Sequence, residues 1–472
     1  MRSWNHQPES LPKQRNAATA ATAARQVKHR LGDIVASSDE TGEARSEVPR
    51  SSPQKATYEG VMEEVVTQEN ATAAWLAVKR NGGSPGIDRM TTGQLGEHIR
   101  KHWEVISAKL LTGTYVPAPV KRVTIPKPNG GTRMLGIPTV VDRWIQQMVL
   151  QVLQPLFDPT FSEHSYGFRP GRSAHGAVRA AQAYVQGGKD WVVDMDITKF
   201  FDHVNHDILM HRIGQTIRDK RMLRLIGAYL RAGVMVEGLV MATEAGTPQG
   251  GPLSPLLANL YLDALDRELS RRGLAFCRYA DDCNIYVGSQ RAAQRVLESV
   301  SRWVGQRLRL EVNAVKSGTG RPWERKFLGF RINPQGQIEA APQSVERLKA
   351  RVRELWRSCQ SLTSEQLRDN WRAYLRGWWS YYQLAEERRN IYALEGWIRR
   401  HIRKCFWQRW HNVQGRLRAL RRLGLRGRLL KVAHSSRGAW PIAASPSLQT
   451  ALNNTCLRRF GFIMPSDLAA HA

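Results

Sequence analysis

The chain has 472 residues, 42% of them hydrophobic, with 70 Lys+Arg against 41 Asp+Glu and a net charge of +29. That length makes room for two or three domains with real cores, which excludes wholesale disorder, and no stretch approaches the ~18 uninterrupted apolar residues of a membrane span. The N-terminus has no secretory apolar core, and the five cysteines form no C-x-x-C pair; a reducing cytoplasm fits, and a disulfide scaffold, a zinc module and a membrane partner do not. An excess of cations this large points to a polyanionic partner, nucleic acid first.

Residues 1–56 are rich in Ala, Ser, Thr, Gln and Arg and read as a mobile leader. From Tyr58 onward, Val61, Val65, Ala73, Leu76 and Ala77 suggest amphipathic helices, ended by the glycine- and proline-bearing stretch Asn81 to Thr91. Between Tyr115 and Pro138 the pattern predicts a β-hairpin with its turn at Pro128 to Gly131. A helix follows, with Ile145, Met148, Val149, Val152 and Leu156 on one stripe. Strands are predicted at Trp191–Ile197, Cys277–Tyr279 and Ile285–Val287 with helices between them, so residues 58 to 335 form an α+β core.

From Ser344 only helical patterns remain. Val345, Leu348, Val352 and Leu355 recur at helical spacing, and Trp371, Tyr374, Leu375, Trp378 and Tyr381 repeat it with aromatics, a stripe better suited to core than to base stacking. Between Glu395 and Asp467 there is no acidic residue, while Arg399, Arg400, Arg403, Lys404, Arg416, Arg418, Arg421 and Arg422 crowd the segment. Such unpaired cations fit phosphate contacts to structured RNA.

Two acidic clusters stand out, WVVDMDITKFFDHVNHD and CRYADDCNIYV. Asp281 and Asp282 fall at a bend between strand-like segments whose apolar flanks predict partial burial. A buried acidic pair needs compensation, which a divalent metal supplies. Asp194 and Asp196 share one face of a strand because side chains alternate, so one of them can join the pair. Carboxylate oxygens favour Mg²⁺ over zinc, and two such ions about 3.5–4 Å apart stabilise both the attacking and the leaving oxygen of a phosphoryl displacement. The spacing alone leaves polymerase, nuclease and phosphatase open.

At these residues a family resemblance appears. YADD (Tyr279 to Asp282) resembles the Y-x-D-D box of reverse transcriptases, and DITKFF (Asp196 to Phe201) resembles their first palm motif. GTPQGGPLSP (Gly246 to Pro255), EVNAVKS (Glu311 to Ser317), FLGF (Phe327 to Phe330) and, in the fingers, IPK (Ile125 to Lys127) with RMLGIP (Arg133 to Pro138) resemble further motifs, in the family order. GID (Gly86 to Asp88), SYGFRPGRS (Ser165 to Ser173), WWSYY (Trp378 to Tyr382) and LEGWIRR (Leu394 to Arg400) resemble elements of the group II intron branch, the maturases.

That resemblance implies a right-hand polymerase core of fingers and palm, then an all-α thumb and a small basic C-terminal module. It divides the chain into the leader 1–56, an N-terminal extension and fingers at 57–190, the palm at 191–335, the thumb or maturase (X) domain at 336–400 and a DNA/RNA-binding module at 401–472. It implies an RNA-directed DNA polymerase that also binds its group II intron RNA to assist splicing and mobility. The partners it implies are that RNA, an RNA template with a DNA primer, target DNA and deoxynucleotide triphosphates, in a cytoplasmic ribonucleoprotein of open oligomeric state. By the same resemblance Asp196, Asp281 and Asp282 are catalytic and hold two Mg²⁺ ions, with Asp194 a neighbour that tunes them. Phe200 lies under the nucleotide sugar and excludes a 2′-hydroxyl. Lys127 and Arg133 clamp the triphosphate, Gln249 contacts the incoming nucleotide or the template, and Lys316 protonates pyrophosphate. The basic stretch is followed by no C-x-x-C pairs, so no HNH endonuclease domain is expected. Two other functions stay open on the residues alone: a splicing cofactor with a vestigial polymerase, and a reverse transcriptase adopted by its host for defence or DNA repair.

Overall fold

Two four-stranded sheets organise the α+β part of the chain. The computed structural model describes residues 57–126, 132–236, 239–241, 250–357 and 361–469; the leader, the hairpin turn Pro128 to Gly131, Lys127 and Gln249 lie outside the described residues. In the fingers, β1 (Val120–Pro126) and β2 (Thr132–Ile137) pair antiparallel from Lys121↔Ile137 to Pro126↔Thr132, as the hairpin pattern predicts. β1 also takes β4 (Val234–Val236) in parallel, and β5 (Leu239–Met241) completes the order β2-β1-β4-β5. Strands of three residues are too short to show a period-two pattern, and the sequence reading missed both.

Behind this sheet, α1 (Gln68–Asn81) packs on α2 (Val140–Phe157). The α2 helix starts at Thr139, whose hydroxyl accepts from the Asp142 amide. It buries Trp144, Ile145, Met148, Val149, Leu153 and Phe157; Val152 and Leu156, expected on the stripe, lie at its partly buried margin.

The palm sheet has the order β6-β7-β3-β8, from β3 (Trp191–Asp196), β6 (Ala275–Tyr279), β7 (Asp282–Val287) and β8 (Gly318–Gly320). Alternation sends its side chains into two different cores. Val193, Met195, Phe276, Cys283 and Ile285 join the fingers core, together with α3 (Ser254–Arg271) and α4 (Gln290–Leu308). Val192, Cys277 and Tyr286 join a second core shared with the thumb. The sheet is therefore covered on both faces, which explains why β7 is buried from Cys283 through Val287.

The thumb opens with the hairpin of β9 (Phe330–Ile332) and β10 (Ile338–Ala340), so the 335/336 division expected from the sequence falls in its turn. α5 (Pro342–Arg357), α6 (Ser364–Tyr382) and α7 (Glu395–Arg409) follow. The aromatic stripe is core: Trp371, Leu375, Trp379 and Tyr382 are buried, and Trp378 and Tyr381 pack at the edge.

The expected boundary at 400/401 needs correction, because α7 runs through it without a break. Its Ile398, Ile402 and Cys405 belong to the thumb core, while Trp407 starts a small core with Leu420, Leu425, Ile442 and Leu448. The chain then returns, and Leu452, Leu457, Phe462 and Met464 close the thumb core, with Trp371 Nε1 donating to the Ile463 carbonyl at 2.8 Å. An amphipathic helix with apolar residues on two sides cannot end where one core ends. Among the described residues no helix is long and apolar enough to cross a membrane.

Candidate active site

β3 and β7 run side by side with Asp196 opposite Asp282 and Asp194 opposite Asn284. β6 and β7 meet at the pair Tyr279↔Asp282, which leaves Ala280 and Asp281 as a two-residue turn. Ala280 holds a positive φ of 58°, the left-handed region that a Cβ resists by about 1–2 kcal/mol. The three carboxylates expected to act together are thus brought to one end of the palm sheet by ladder register and a tight turn.

Crowding shows in their protonation. Burial lifts the Asp282 carboxyl to about 7, and the charges of Asp194, Asp281 and Asp196 push the same way. Burial also lifts Asp194 to about 6, opposed by Arg325, whose Nη1 lies 3.9 Å away, and reinforced by Asp196. A set of hard oxygen donors that repel one another is chemically suited to Mg²⁺. Among the described residues no three acidic, histidine or cysteine side chains stand in ligating geometry.

The segment Glu311 to Ser317 is stitched alongside Asp196. Asn313 N donates to the Asp196 carbonyl at 2.8 Å, and Asp196 N donates to Ser317 Oγ at 2.9 Å. Asn313 Oδ1 accepts from the amides of Val315 and Lys316 at 3.1 and 3.2 Å, forming an Asx turn. That turn delivers Lys316, whose Nζ lies 3.3 and 3.2 Å from the two Asp196 oxygens. The sequence reading missed Asn313 and Ser317; an Asn three residues before a Lys-Ser pair, in a stretch without periodicity, was the available signal.

Phe200 is corrected. Its ring is 2% exposed and packs on Tyr261 and Phe201, with centroids 6.2 and 5.2 Å away, inside the fingers core. Phe201 is the half-buried ring of the pair. The helix that carries both (Phe200–His203) starts at Lys199 with φ 41°, and this sharp entry sends the first ring inward.

Arg133 lies in β2 opposite Ile125. Its side chain, like Lys127 and Gln249, lies outside the described residues. The described end of the glycine-rich loop packs on the fingers: Gly250, at φ 134°, approaches the Gly136 carbonyl so closely that a Cβ would fall 2.6 Å from it.

The basic tail divides into two sets. Arg403 is 7% exposed, with Nε donating to the Leu452 carbonyl at 3.0 Å. Arg399 pairs with Glu395 at 3.1 Å, Arg400 lies 4.2 Å over Trp440, and Arg416 lies 4.4 Å over Trp407. These four have partners within the fold, in addition to the phosphates expected of them; aromatic faces and carbonyls take up their long stems and planar heads. Lys404 is half-buried, whereas Arg418, Arg421 and Arg422 are exposed, as are Arg426 and Arg428 beyond them.

Comparison with known proteins agrees with this architecture. Residues 125–332 match the family described as reverse transcriptase (RNA-dependent DNA polymerase), and residues 345–424 match the maturase-specific domain of group II introns. Protein YkfC of Escherichia coli is 32% identical over 52% of this chain and 75% of its own length. Group II intron-encoded protein LtrA of Lactococcus lactis is 40% identical over 41% of this chain and 31% of its own. Among solved structures, a chain of a partial Cas6-RT-Cas1–Cas2 complex covers 52% of this chain and is covered over 42% of its own length, with 24% identity and a TM-score of 0.35.

Proposed function

The chain belongs to the group II intron reverse transcriptase and maturase family, and on that footing we propose that it copies RNA into DNA with Asp196, Asp281 and Asp282 as the catalytic carboxylates. The observation that carries the reading is the placement of Asp196 across the ladder from Asp282, one residue from the turn that bears Asp281. These three would hold two Mg²⁺ ions, which when bound stabilise charge on the attacking and leaving oxygens. Asp194 adds repulsion at Asp282 and so sharpens the site's demand for cations. Lys316 stands over Asp196 and can deliver a proton to departing pyrophosphate. Lys127 and Arg133 clamp the triphosphate, and Gln249 touches the nucleotide or the template. Of the two rings, Phe201 is the one that borders the sugar.

The second activity is binding of the parent intron RNA and of target DNA. We assign it to the exposed set Arg418, Arg421 and Arg422, together with the half-buried Lys404. The palm at 191–335 and the fingers at 57–190 complete this division of labour, with the thumb extending past residue 400. Extension of a DNA primer on an RNA template, with deoxynucleotide triphosphates and Mg²⁺, tests the first activity. Full-length cDNA from the wild type and none from Asp282→Asn is the expected result. A wild type that makes no cDNA would overturn the reading.

A further inference from the structure

A fully buried ion pair in the palm, Arg278 with Asp266, lies outside the set named above. Arg278, next to last in β6, has no exposed surface, and each of its five N–H groups meets an acceptor. Nε and Nη2 form a bidentate pair with Asp266 of α3 at 2.7 and 2.6 Å. Nη2 also donates to Ser165 Oγ at 2.8 Å. Nη1 donates to Asn259 Oδ1 at 3.0 Å and to the Ala280 carbonyl at 2.9 Å.

An ion pair this deep is a poor source of stability, because desolvation of both charges offsets their attraction. Its contacts suggest another use. Ala280 turns the chain from β6 into β7 in the left-handed region, a position that hairpins usually give to glycine or asparagine. It is gripped from two sides. Arg278 holds its carbonyl, and Gly167 packs so closely that a Cβ there would collide with the Ala280 amide nitrogen. Gly167 is itself anchored by Asn259, whose Nδ2 donates to its carbonyl at 2.8 Å. Backbone exchange closes the frame: Arg278 N donates to the His164 carbonyl at 2.9 Å, and Tyr166 N to the Arg278 carbonyl at 2.8 Å. Holding the Ala280 carbonyl fixes the plane of the peptide that leads into Asp281, and with it the direction in which that side chain leaves the backbone.

We infer that Arg278 is a positioning residue: its guanidinium, neutralised by Asp266, locks the strained Ala280 turn and so presents Asp281 and Asp282 to metal in one orientation. Lysine cannot substitute, because an ammonium has three donors and no planar fork to serve acceptors in several directions. The same grip ties the SYGF segment, Ser165 to Phe168, to the catalytic hairpin. The inference rests on the polymerase reading.

The test is single-turnover primer extension by the full chain with Mg²⁺ titrated, beside primer–template binding and thermal melting. Arg278→Lys should slow extension by at least about tenfold and raise the half-saturating Mg²⁺ concentration, with primer–template affinity unchanged within about threefold. A purely structural role would lower melting temperature without that split. A folded Arg278→Lys protein that extends within about threefold of wild type overturns the inference. Should Arg278→Lys melt below the assay temperature, Arg278→Met combined with Asp266→Leu removes both charges together and restores an apolar core. Slow, Mg²⁺-demanding extension by that folded double variant supports the inference, and wild-type extension overturns it. Loss of the fold in both variants also overturns it, since the pair then holds the core and not the turn. A wild type that makes no cDNA brings down the polymerase reading and the inference with it, whereas a working wild type beside an equally fast variant brings down the inference alone.

Discussion

Lys316 reaches both oxygens of Asp196, at 3.3 and 3.2 Å, from a turn capped by Asn313. On the proposed reading Asp196 ligates metal, so the Lys316 cation competes with the metal for it, while the same ammonium serves as an acid. The two roles predict opposite effects of one substitution. Lys316→Ala should lower the Mg²⁺ concentration needed for half-maximal extension and reduce the maximal rate by about 10²-fold. A Mg²⁺ titration of single-turnover extension separates the two, and a variant that matches wild type in both quantities would refute the placement.

The carboxylate cluster should cost the protein stability when no metal is bound. Burial and three neighbouring carboxylates lift Asp282 from the ordinary carboxylate range to about 7, so the stability cost of its charge builds as pH rises toward 7 and is fully present above it. Asp282→Asn should therefore raise the melting temperature in chelator at pH 8, by on the order of 1 kcal/mol of stability, while reducing extension to less than about a tenth. Calorimetry in EDTA, paired with primer extension, checks both. A variant that is inactive and also less stable would show that burial and repulsion do not penalise the Asp282 charge.

The two phenylalanines of the first palm motif should behave differently. Phe200→Ala empties a core site and should cost about 3–5 kcal/mol of stability with little change in sugar selection. Phe201→Ala should raise ribonucleotide relative to deoxyribonucleotide incorporation with a smaller loss of stability. Competition between the two nucleotide types, read alongside denaturant melts, would overturn the assignment if discrimination relaxed in Phe200→Ala alone.

The division of the tail arginines makes a prediction about salt. Alanine at Arg418, Arg421 and Arg422 should flatten the dependence of log K on log salt for intron RNA by about 0.7–0.9 units for each phosphate no longer neutralised. Extension of a pre-annealed primer at low salt should change little. Arg416→Ala removes the guanidinium from over Trp407, so it should cost about 1–2 kcal/mol of stability and leave the slope unchanged. Filter binding across a salt series distinguishes them, and a slope altered only by Arg416→Ala would reverse the division.

His401 supplies a pH dependence away from the carboxylates. Its ring sits between Trp397 and Trp440, with centroids 4.4 and 4.7 Å away. Burial, then the charges of Lys404, Arg353 and Arg400, depress its pKa to about 4. The unfolded chain binds the proton more readily than the folded one, so stability is intact above the ordinary histidine value of about 6.5 and is lost as pH falls toward 4. The loss should be on the order of 2 kcal/mol, and His401→Phe should abolish it. A stability difference between wild type and His401→Phe that stays constant from pH 7 to pH 5 would count against this account.

Much of the palm was legible because its signals are local. Period-two alternation located β3, and the adjacent pair Asp281 and Asp282 marked the turn. The resemblance in order of motifs supplied the fingers and the thumb. What the sequence concealed depends on tertiary partners. Whether Phe200 or Phe201 faces inward is set by the backbone at Lys199, and no periodicity runs across that four-residue helix. Arg400, Arg403 and Arg416 look like Arg418 and Arg421 in composition, and only the positions of Trp440, Leu452 and Trp407 tell them apart. Arg278 carried a signal that went unused: a cation between Cys277 and Tyr279 in an apolar strand requires a buried acidic partner, and Asp266 lies on a helix whose buried face is otherwise nearly all apolar.

The path of α7 bears on how this protein can be cut or grafted. The helix supplies Ile398 and Ile402 to one core and Trp407 to the next, and the chain beyond it comes back to place Phe462 against Trp356 and the Ile463 carbonyl against Trp371. A chimaera joined near residue 400 would strip the thumb of its closing segment and leave two aromatic surfaces bare. A transplant that carries everything from Ala341 onward keeps α7 with the segment that closes its cores, and needs a recipient that supplies the palm side of the thumb core, here Val192, Cys277, Tyr286 and the β9–β10 hairpin. It also keeps the exposed arginines in the orientation that this fold gives them, so target preference should travel between relatives with the whole helical half and not with the basic stretch alone.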